Sequence, residues 1–220
     1  MKLILIGANG KMGQQMQIFL KEKDCKVVLI DKLNRNILEN CAGDIILDFS
    51  SNSALDDNLK IAKLKKLPIV IGTTNHNETN LKLIKEYSKS IPIFLTYNFS
   101  IGFNLMLQFI KYFKMLNDGE FLITEKHHKT KKDIPSGSAK MIIKKFKTIN
   151  IEPKVYSYRV SNIVGEHKIY CYKDNEVLEI KHIAKDRMLF CDGAYKVCEY
   201  MLNKKKGFYT MEDFLKIDCK

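Results

Sequence analysis

The sequence has no long hydrophobic run and no Cys-x-x-Cys pair, and it is poor in arginine. No apolar stretch approaches the roughly 20 residues that a membrane-spanning helix needs. The apolar start is too short for a signal peptide, and no small-residue cleavage site follows it. With 45% hydrophobic and 28% charged residues, the 220-residue composition is that of a globular protein. We therefore expect a soluble cytoplasmic chain without a membrane partner, forming one large domain or two small ones.

Only three of the 37 basic residues are arginine, although the formal net charge is +12. Base-specific recognition favours the planar guanidinium fork of arginine, for which lysine is a poor substitute. The lysines are also spread along the whole chain. A compositional bias toward Lys, Asn and Ile explains the charge, and a basic pocket for an anionic small molecule is the other interpretation. We expect no nucleic-acid partner.

The cysteines lie far apart, and their spacing argues against a zinc site. Several sit in apolar patterns, so we expect small buried residues with free thiols in a reducing compartment. They are Cys25, Cys41, Cys171, Cys191, Cys198 and Cys219.

In the first half of the chain, short apolar runs alternate with helical stretches. Continuous Val, Ile and Leu runs are typical of strands buried on both faces, and their spacing fits βαβ crossovers. Right-handed crossovers then give a parallel sheet wrapped by helices. The predicted strands are 2–6, 27–30, 45–49, 69–71 and 93–97, and the predicted helices are 12–23, 53–66 and 78–89.

The second half has an α+β pattern with antiparallel hairpins, and the pair Asp174-Asn175 predicts one of the turns. Helices are predicted at 101–116 and 138–148, and strands at 121–126, 155–160, 167–173 and 177–184. Two last helices, at 193–203 and 211–217, fold back on the first domain. We predict an α/β fold. A Rossmann-like parallel-sheet dinucleotide-binding domain spans 1–99 and 193–220, and a smaller α+β domain spans 100–192.

A glycine-rich turn follows the first predicted strand and opens the first predicted helix. Glycine lets the backbone approach a pyrophosphate, and N–H groups at the helix start bind the anion. Asp31 ends the second strand, where an acid binds the ribose hydroxyls, and the adjacent Lys32 can pair with a 2′-phosphate. We predict NADH binding with NADPH tolerated. A turn without a ligand is the alternative, because the spacing G-x-x-G-x-x-G is not the usual one. The turn comprises Gly7, Ala8, Asn9, Gly10, Lys11, Met12 and Gly13.

Two more segments follow predicted strands, at the sheet edge where open α/β folds bind ligands. Small hydroxyl residues after a tight glycine can line a nicotinamide, although such loops also serve as helix caps. The segments are Gly72, Thr73 and Thr74, and Thr96, Tyr97, Asn98, Phe99 and Ser100.

Residues 125–139 contain two adjacent histidines and four lysines, and they close with Pro-Ser-Gly-Ser at a predicted helix start. N–H donors and lysines together favour a dianionic substrate. Crowding of the cations lowers lysine and histidine pKa values, which would poise one group as a general acid. A solvated lysine run is the alternative. No carboxylate or thiol at suitable spacing completes a metal site, so we predict none. Arg159 fits a structural ion pair or a second anion clamp.

In this order, the residues resemble the dihydrodipicolinate reductase family over nearly the whole chain. A single piece could arise by chance, whereas the ordered series is specific. Besides the glycine turn, the pieces are Asp48-Phe49-Ser50, Gly72-Thr73-Thr74, Asn98-Phe99-Ser100-Ile101-Gly102-x-Asn104, Glu125-x-His127-His128-x-x-Lys131-x-Asp133-x-Pro135-Ser136-Gly137-Ser138-Ala139, Arg159 with Gly165-Glu166-His167, and His182-x-Ala184-x-x-Arg187.

The resemblance implies hydride transfer from NADH or NADPH to a cyclic imino-dicarboxylate, which yields tetrahydrodipicolinate in the diaminopimelate route to lysine. It implies His127 as proton donor or acceptor and Lys131 as proton donor to the ring. It also implies a homotetramer formed through the sheet of the second domain. The substrate carboxylates would be held by His128, Gly137 and Ser138. The cofactor would contact Gly7 to Met12, Asp31, Lys32, Gly72 to Thr74 and Thr96 to Phe99.

The chain departs from the family pattern in a short 31–48 segment, in Asn75, in the pair Thr96-Tyr97 and in Ser138 for threonine. Other interpretations are a related nicotinamide oxidoreductase, a non-catalytic dinucleotide sensor and a nucleic-acid-binding protein. For the reductase, hydride transfer requires the glycine turn and the cationic segment to share one crevice.

Overall fold

The computed structural model describes residues 1–116 and 118–216, which form two compact units. The first unit joins Met1–Phe99 to the chain from Met188 onward, and the second unit is Ser100–Arg187. The chain thus rejoins the first unit five residues before the predicted position 193. The physical reason is that the helix Met188–Met201 carries buried side chains along its length and packs as one element.

A six-stranded parallel sheet forms the first unit, in the order β10-β5-β4-β3-β1-β2. Its strands are β1 (Lys2–Ile6), β2 (Lys26–Ile30), β3 (Ile45–Asp48), β4 (Ile69–Ile71), β5 (Pro92–Leu95) and β10 (Gly207–Tyr209). Its helices are α1 (Lys11–Glu22), α2 (Ile37–Asn40), α3 (Leu55–Lys65), α4 (Glu78–Ser88), α7 (Met188–Met201) and α8 (Met211–Leu215). The predicted parallel sheet is confirmed.

The core of this unit lies where the apolar runs are continuous. All four residues of β3 and the last four of β1 are buried. In register, Ile4 lies between Val28 of β2 and Ile46 of β3. The strand order reverses between β1 and β3, and in open α/β sheets ligands bind outside the carboxyl ends of the strands at such a point.

Strand β10 is an addition to the predicted sheet. It pairs in parallel with β5, so that Phe208 lies beside Ile93. Three residues are too few for a periodic signal. The sequence therefore predicted only that the C-terminal segment folds back on the first domain. The predicted helix 211–217 ends at Leu215; its last position and Cys219 lie outside the described residues.

The second unit has a four-stranded sheet in the order β7-β6-β8-β9. Its elements are α5 (Ile101–Phe109) with a 3-10 helix (Ile110–Leu116), β6 (Glu120–His127), α6 (Gly137–Lys147), β7 (Lys154–Arg159), β8 (Gly165–Lys173) and β9 (Glu176–Ala184). Strand β8 pairs antiparallel with β9 through the predicted hairpin, and it also pairs antiparallel with β6. The prediction of hairpins without crossovers is wrong for β7, which is parallel to β6 because α6 crosses between them.

One face of this sheet is covered by helices, and alternate strand residues are buried there. Side chains of α5 and α6, such as Phe103 and Phe146, pack against alternate residues of β6 and β8. On β6 this buried series continues from Phe121 and Ile123 to Glu125 and His127. The period of two that builds the core therefore carries a carboxylate and an imidazole into the interior.

Within residues 1–116 and 118–216, no helix is both long and apolar enough to span a bilayer. The five cysteines in that part of the chain carry free thiols: Cys25 and Cys41 are half-buried, and Cys171, Cys191 and Cys198 are buried.

Candidate active site

The glycine-rich turn between β1 and α1 has a backbone that side chains would obstruct. Gly7 has a φ of +82°, and an added Cβ would lie 2.6 Å from the backbone carbonyl of Phe49. A Cβ at Gly13 would lie 2.1 Å from the Gly7 carbonyl oxygen. Helix α1 follows Gly10, which gives it no side-chain cap, and its first turn contains no acidic residue. The helix start can therefore accept an anion.

Asp31 ties this turn to the end of β2. Its carboxylate accepts hydrogen bonds from the Asn9 amide and, at 2.8 Å, from the Leu33 N–H. The N–H groups of Gly7 and Ala8 donate to the carbonyl of Ile30, just before Asp31. The structure therefore brings the turn and the predicted ribose-binding acid together, and Lys32 next to them is exposed.

A buried carboxylate at the end of β3 shapes the same edge. Asp48 accepts hydrogen bonds from Ser50 and, at 2.7 Å, from the Asn58 amide, which in turn accepts one from Arg35. Burial raises the pKa of Asp48, and these hydrogen bonds partly oppose it. The sequence carries no signal for the partners Asn58 and Arg35, because they lie on different elements, helix α3 and the loop before α2, that meet Asp48 only in the fold.

The segments after β4 and β5 lie side by side on this edge. The Gly72 N–H donates to the Asp48 carbonyl at 2.9 Å. Thr73 is buried, and its hydroxyl lies 3.0 Å from Nε2 of His76. The His76 ring lies 6.0 Å from that of Tyr97, which is 41% exposed. Sequence reasoning had omitted His76, whose only signal is its position just after the Gly-Thr-Thr segment.

Three of the Thr96–Phe99 residues are buried rather than facing solvent. The Thr96 hydroxyl donates to the carbonyl of Asn98 and accepts from its N–H, which closes a tight turn. The Phe99 ring packs edge-on against Phe49 at 5.7 Å. These predicted cofactor residues therefore lie at one sheet edge together with the glycine turn and Asp31.

In the second unit, Glu125 is the centre of the candidate site. Its side chain is fully buried, and Oε1 accepts hydrogen bonds from the Ser136 N–H and from Nη2 of Arg159, both at 3.0 Å. Its other oxygen, Oε2, lies 3.1 Å from Nδ1 of His127 and 3.9 Å from Nε2 of His167. The motif residues of β6, β7 and β8 therefore converge on one carboxylate.

Burial and hydrogen bonding act in opposite directions on these groups. Burial raises the pKa of Glu125, but hydrogen bonds, above all from His127 and Ser136, outweigh it and hold that pKa well below its usual range. Burial, and next the charge of His127, lower the pKa of His167 to about 3. Near neutral pH, the cluster therefore contains an ionised carboxylate and a neutral His167.

Arg159 holds the cationic loop in place. Besides Glu125, its guanidinium donates to the backbone carbonyls of Lys131 and Asp133. Of the two roles that the sequence left open, these contacts are those of a structural ion pair, since the donors named here are used within the protein.

The loop brings the predicted proton donor close to a helix start. Nζ of Lys131 lies 2.8 Å from Asp133, whose carboxylate also accepts a hydrogen bond from the Gly137 N–H. Nδ1 of His128 lies 2.8 Å from the Thr130 hydroxyl. Ser136 caps α6 by accepting a hydrogen bond from the Ala139 N–H.

The alternative of a solvated lysine run applies to part of this loop. Lys129 and Lys132 are exposed, whereas Lys131 is half-buried. The loop therefore has both solvated lysines and one that is held in the cluster.

A carboxylate and two histidines come together in the fold, although the sequence predicts no set of metal ligands. The sequence offered no carboxylate at suitable spacing, yet Glu125, His127 and His167 place one ligand atom each within 4.8 Å of one another. The pairing of β6 with β8 brings them together, which spacing along one strand cannot show. Arg159 already supplies a positive charge to Glu125, so the cluster is neutralised without a cation.

Comparison with known proteins identifies the family to which the chain is similar. A family model described as dihydrodipicolinate reductase, N-terminus, matches residues 1–99, and one described as its C-terminus matches residues 102–215. A 4-hydroxy-tetrahydrodipicolinate reductase of Thermosipho africanus is 38% identical over 98% of both chains. One of Caldanaerobacter subterraneus is 35% identical over 98% of both chains.

Solved structures show the same fold. A dipicolinate-bound dihydrodipicolinate reductase from Paenisporosarcina has a TM-score of 0.80 at 17% identity, over 95% of this chain and 97% of that one. The diaminopimelate dehydrogenase of C. glutamicum has a TM-score of 0.60 at 8% identity, over 99% of both chains. Since the family models cover both units and the relatives span almost the full length, this chain belongs to the dihydrodipicolinate reductase family and is an oxidoreductase.

Proposed function

We propose that this chain reduces 4-hydroxy-tetrahydrodipicolinate with NADH or NADPH, in the diaminopimelate and lysine pathway. The observation that carries the proposal is the cluster around Glu125, in which His127 and the Lys131 loop are fixed within a chain that also has a nucleotide-binding turn. The full-length relatives named as this reductase support the substrate.

The first unit would hold the cofactor, which supplies the hydride when bound. Backbone N–H groups of Gly7 to Met12 would bind the pyrophosphate at the start of α1. Asp31 would accept the ribose hydroxyls, and Lys32 would allow a 2′-phosphate. The nicotinamide would be lined by residues of two segments: Gly72, Thr73 and Thr74, and Thr96, Tyr97, Asn98 and Phe99.

The second unit would hold the substrate. Two carboxylates need fixed positive potential and N–H donors, which His128, Gly137 and Ser138 would provide at the start of α6. Lys131 would donate the proton to the ring, and His127 would act as proton donor or acceptor. General acids of this kind contribute about 10²–10⁴-fold to a rate.

The open face of the second sheet supports the proposal of a homotetramer. On β7, Tyr156 and Tyr158 are 52% and 49% exposed in the single chain, and Ile183 of β9 is 44% exposed. Apolar surface of this extent is typical of an interaction site. We also propose a cytoplasmic location, for which the free thiols of five cysteines are the support.

The test is an assay of the purified chain with NADPH or NADH and freshly generated 4-hydroxy-tetrahydrodipicolinate. Loss of cofactor absorbance that depends on the substrate is expected, with comparable kcat/KM for the two cofactors. Rejection of either cofactor by more than about a hundredfold, roughly 2.7 kcal/mol, would contradict the role of Asp31 and Lys32. Cofactor binding without turnover would indicate a sensor, and turnover of other small acids alone would indicate a related oxidoreductase.

A further inference from the structure

We propose that Glu125 is a positioning residue for His127. Its carboxylate keeps the proton on Nδ1, so that protons are exchanged at Nε2, which the absence of a side chain at Gly165 leaves uncovered. The inference rests on the proposed function in one respect, the role of His127 in proton transfer.

The carboxylate of Glu125 is held from one side. Oε1 is fixed by a backbone N–H, that of Ser136, and by the Arg159 guanidinium, each at 3.0 Å. Oε2 is left facing Nδ1 of His127 at 3.1 Å, a close charge contact that lacks full hydrogen-bond geometry, and neither atom has a hydrogen-bond partner elsewhere among the described residues. Two fixed donors on one oxygen determine the plane of the carboxylate and therefore aim the other oxygen.

The imidazole has little room to turn. The side chain of His127 is 7% exposed, and its ring meets that of His167 edge-on at 5.1 Å. A carboxylate can only accept a hydrogen bond, so it favours the tautomer with hydrogen on Nδ1. The lone pair of the neutral ring then lies on Nε2, which is the atom available to exchange a proton.

Gly165 at the start of β8 lies next to that atom. An added Cβ would be 3.2 Å from Nε2 of His127 and 3.8 Å from Cε1 of His167. Any side chain at this position would therefore press on Nε2, whereas it would leave Oε2 and Nδ1 undisturbed. The glycine thus separates the two functions of the ring: Nδ1 is anchored and Nε2 is open.

The charges around His127 favour anchoring over metal binding. Glu125 is the carboxylate that faces the ring, and Arg159 neutralises it on the opposite oxygen. His167 is buried and Lys131 is close enough to act on its charge. A cation at the three ligand atoms would meet the guanidinium and the ammonium, whereas a proton on Nδ1 requires only the existing carboxylate.

The decisive experiment is NMR of histidine-labelled protein with EDTA present, recorded across a pH titration. The Nδ1–H tautomer is expected for His127 in the wild type. Glu125→Gln should weaken the preference of His127 for the Nδ1–H tautomer and reduce kcat about 10- to 100-fold, the usual range for such outer partners, with KM for the cofactor unchanged. Glu166→Gln, on the other face of the sheet, is the matched control and should change neither.

Gly165→Ala tests access to Nε2 of His127 without removing the Glu125 carboxylate. It should keep the Nδ1–H tautomer and lower kcat, because the added Cβ approaches Nε2 of His127 more closely than any other atom. An Nε2–H tautomer in the wild type would overturn the proposal even if Glu125→Gln does not fold. A wild-type tautomer population and a wild-type kcat in Glu125→Gln would also overturn it. If the wild type shows the Nδ1–H tautomer but no turnover of the substrate, the proposed function fails and the positioning remains.

Discussion

At the scale of single residues, Lys131 is the proposed proton donor, and it forms an ion pair with Asp133. Its ammonium group meets the Asp133 carboxylate at 2.8 Å, and the same carboxylate accepts the Gly137 N–H. Asp133 therefore links the predicted proton donor to the helix start that would bind a substrate carboxylate. Hydrogen bonding to Lys131 lowers the pKa of Asp133 in spite of the opposing effect of burial.

Replacing Lys131 tests the proton donor. Lys131→Ala should lower kcat by at least about a hundredfold, the low end of general-acid effects, while the Kd for NADH stays unchanged. Steady-state kinetics and cofactor titration measure the two quantities. Lys129→Ala is the control, because Lys129 is exposed in the same loop. Retention of most turnover in Lys131→Ala would remove this lysine from the mechanism.

His167 predicts how stability depends on pH. Its pKa is lowered to about 3 in the folded protein, whereas an unfolded histidine titrates near 6.5. Between these values the unfolded state binds the extra proton, so the free energy of unfolding falls as pH falls. We expect a loss of about 2 kcal/mol between pH 7 and pH 5 from this residue.

Urea denaturation at the two pH values measures that loss, and His167→Gln provides the comparison. The variant should lose about 2 kcal/mol less than the wild type over the same interval. Equal losses would show that His167 is not held neutral. Glu125 adds a separate loss only at lower pH, because its folded pKa is depressed and its contribution disappears below the ordinary carboxylate range.

Sequence reasoning predicted functional residues for the second unit but not the contacts that hold them. The family resemblance named His127 and Lys131, whereas the common buried face of Glu125 and His127 on β6 is a finding of the structure. The contact of Glu125 with Arg159 joins residues 34 apart, and no local pattern specifies such a contact. His76 was missed for a similar reason, because its contact with Thr73 depends on how the loop folds after β4.

At the scale of elements, the cap of α6 joins stability to binding. Ser136→Ala removes the side-chain acceptor for the Ala139 N–H and should cost about 1 kcal/mol of stability. It should also raise KM for the substrate about fivefold, equivalent to about 1 kcal/mol, because Gly137 and Ser138 lose their fixed position.

Asn77→Ala is the matched control for this prediction. Asn77 caps α4 in the first unit by accepting the Asn80 N–H at 2.8 Å. Its loss should lower the midpoint of urea unfolding to a similar degree and leave KM for the substrate unchanged. An equal rise of KM in both variants would mean that general loosening, and not the start of α6, affects binding.

The elements themselves were largely predictable. The strands 2–6 and 69–71 agree with the structure in both bounds, since buried Val, Ile and Leu runs end sharply at polar or glycine positions. Two features were not predictable. Strand β10 is too short for a periodic signal, and the parallel pairing of β7 with β6 depends on α6, whose sequence shows that it is a helix but not where it crosses.

At the scale of the whole molecule, the two faces of the second sheet have unequal surroundings. The inner face packs on α5 and α6, while the outer face carries tyrosines and the ion pairs Lys126–Glu166 and Lys168–Glu179. Tyrosine is favoured at protein interfaces because it combines a large apolar ring with a hydroxyl. This face is therefore the surface that we expect to contact other subunits.

Charge on that face should prevent assembly. The double variant Tyr156→Asp, Tyr158→Asp is expected to shift the protein from tetramer to smaller species in sedimentation velocity, because buried unpaired carboxylates are costly. Tyr112→Asp is the control, since Tyr112 is 55% exposed but lies on the 3-10 helix. A monomeric wild type would contradict the proposed tetramer at once.

The position of β10 has a consequence for how the protein is made on the ribosome. Ser100–Arg187 is one continuous stretch, so it leaves the exit tunnel complete and can fold while translation continues. The nucleotide-binding unit is completed later, because β10, the neighbour of β5 at the sheet edge, is translated only after the whole second unit. Until that strand emerges, the backbone groups along one side of β5 are unpaired, and an open edge of this kind attracts other chains. Chains released before β10 is made would therefore contain a folded second unit and a first unit with an unpaired strand edge that is prone to aggregation.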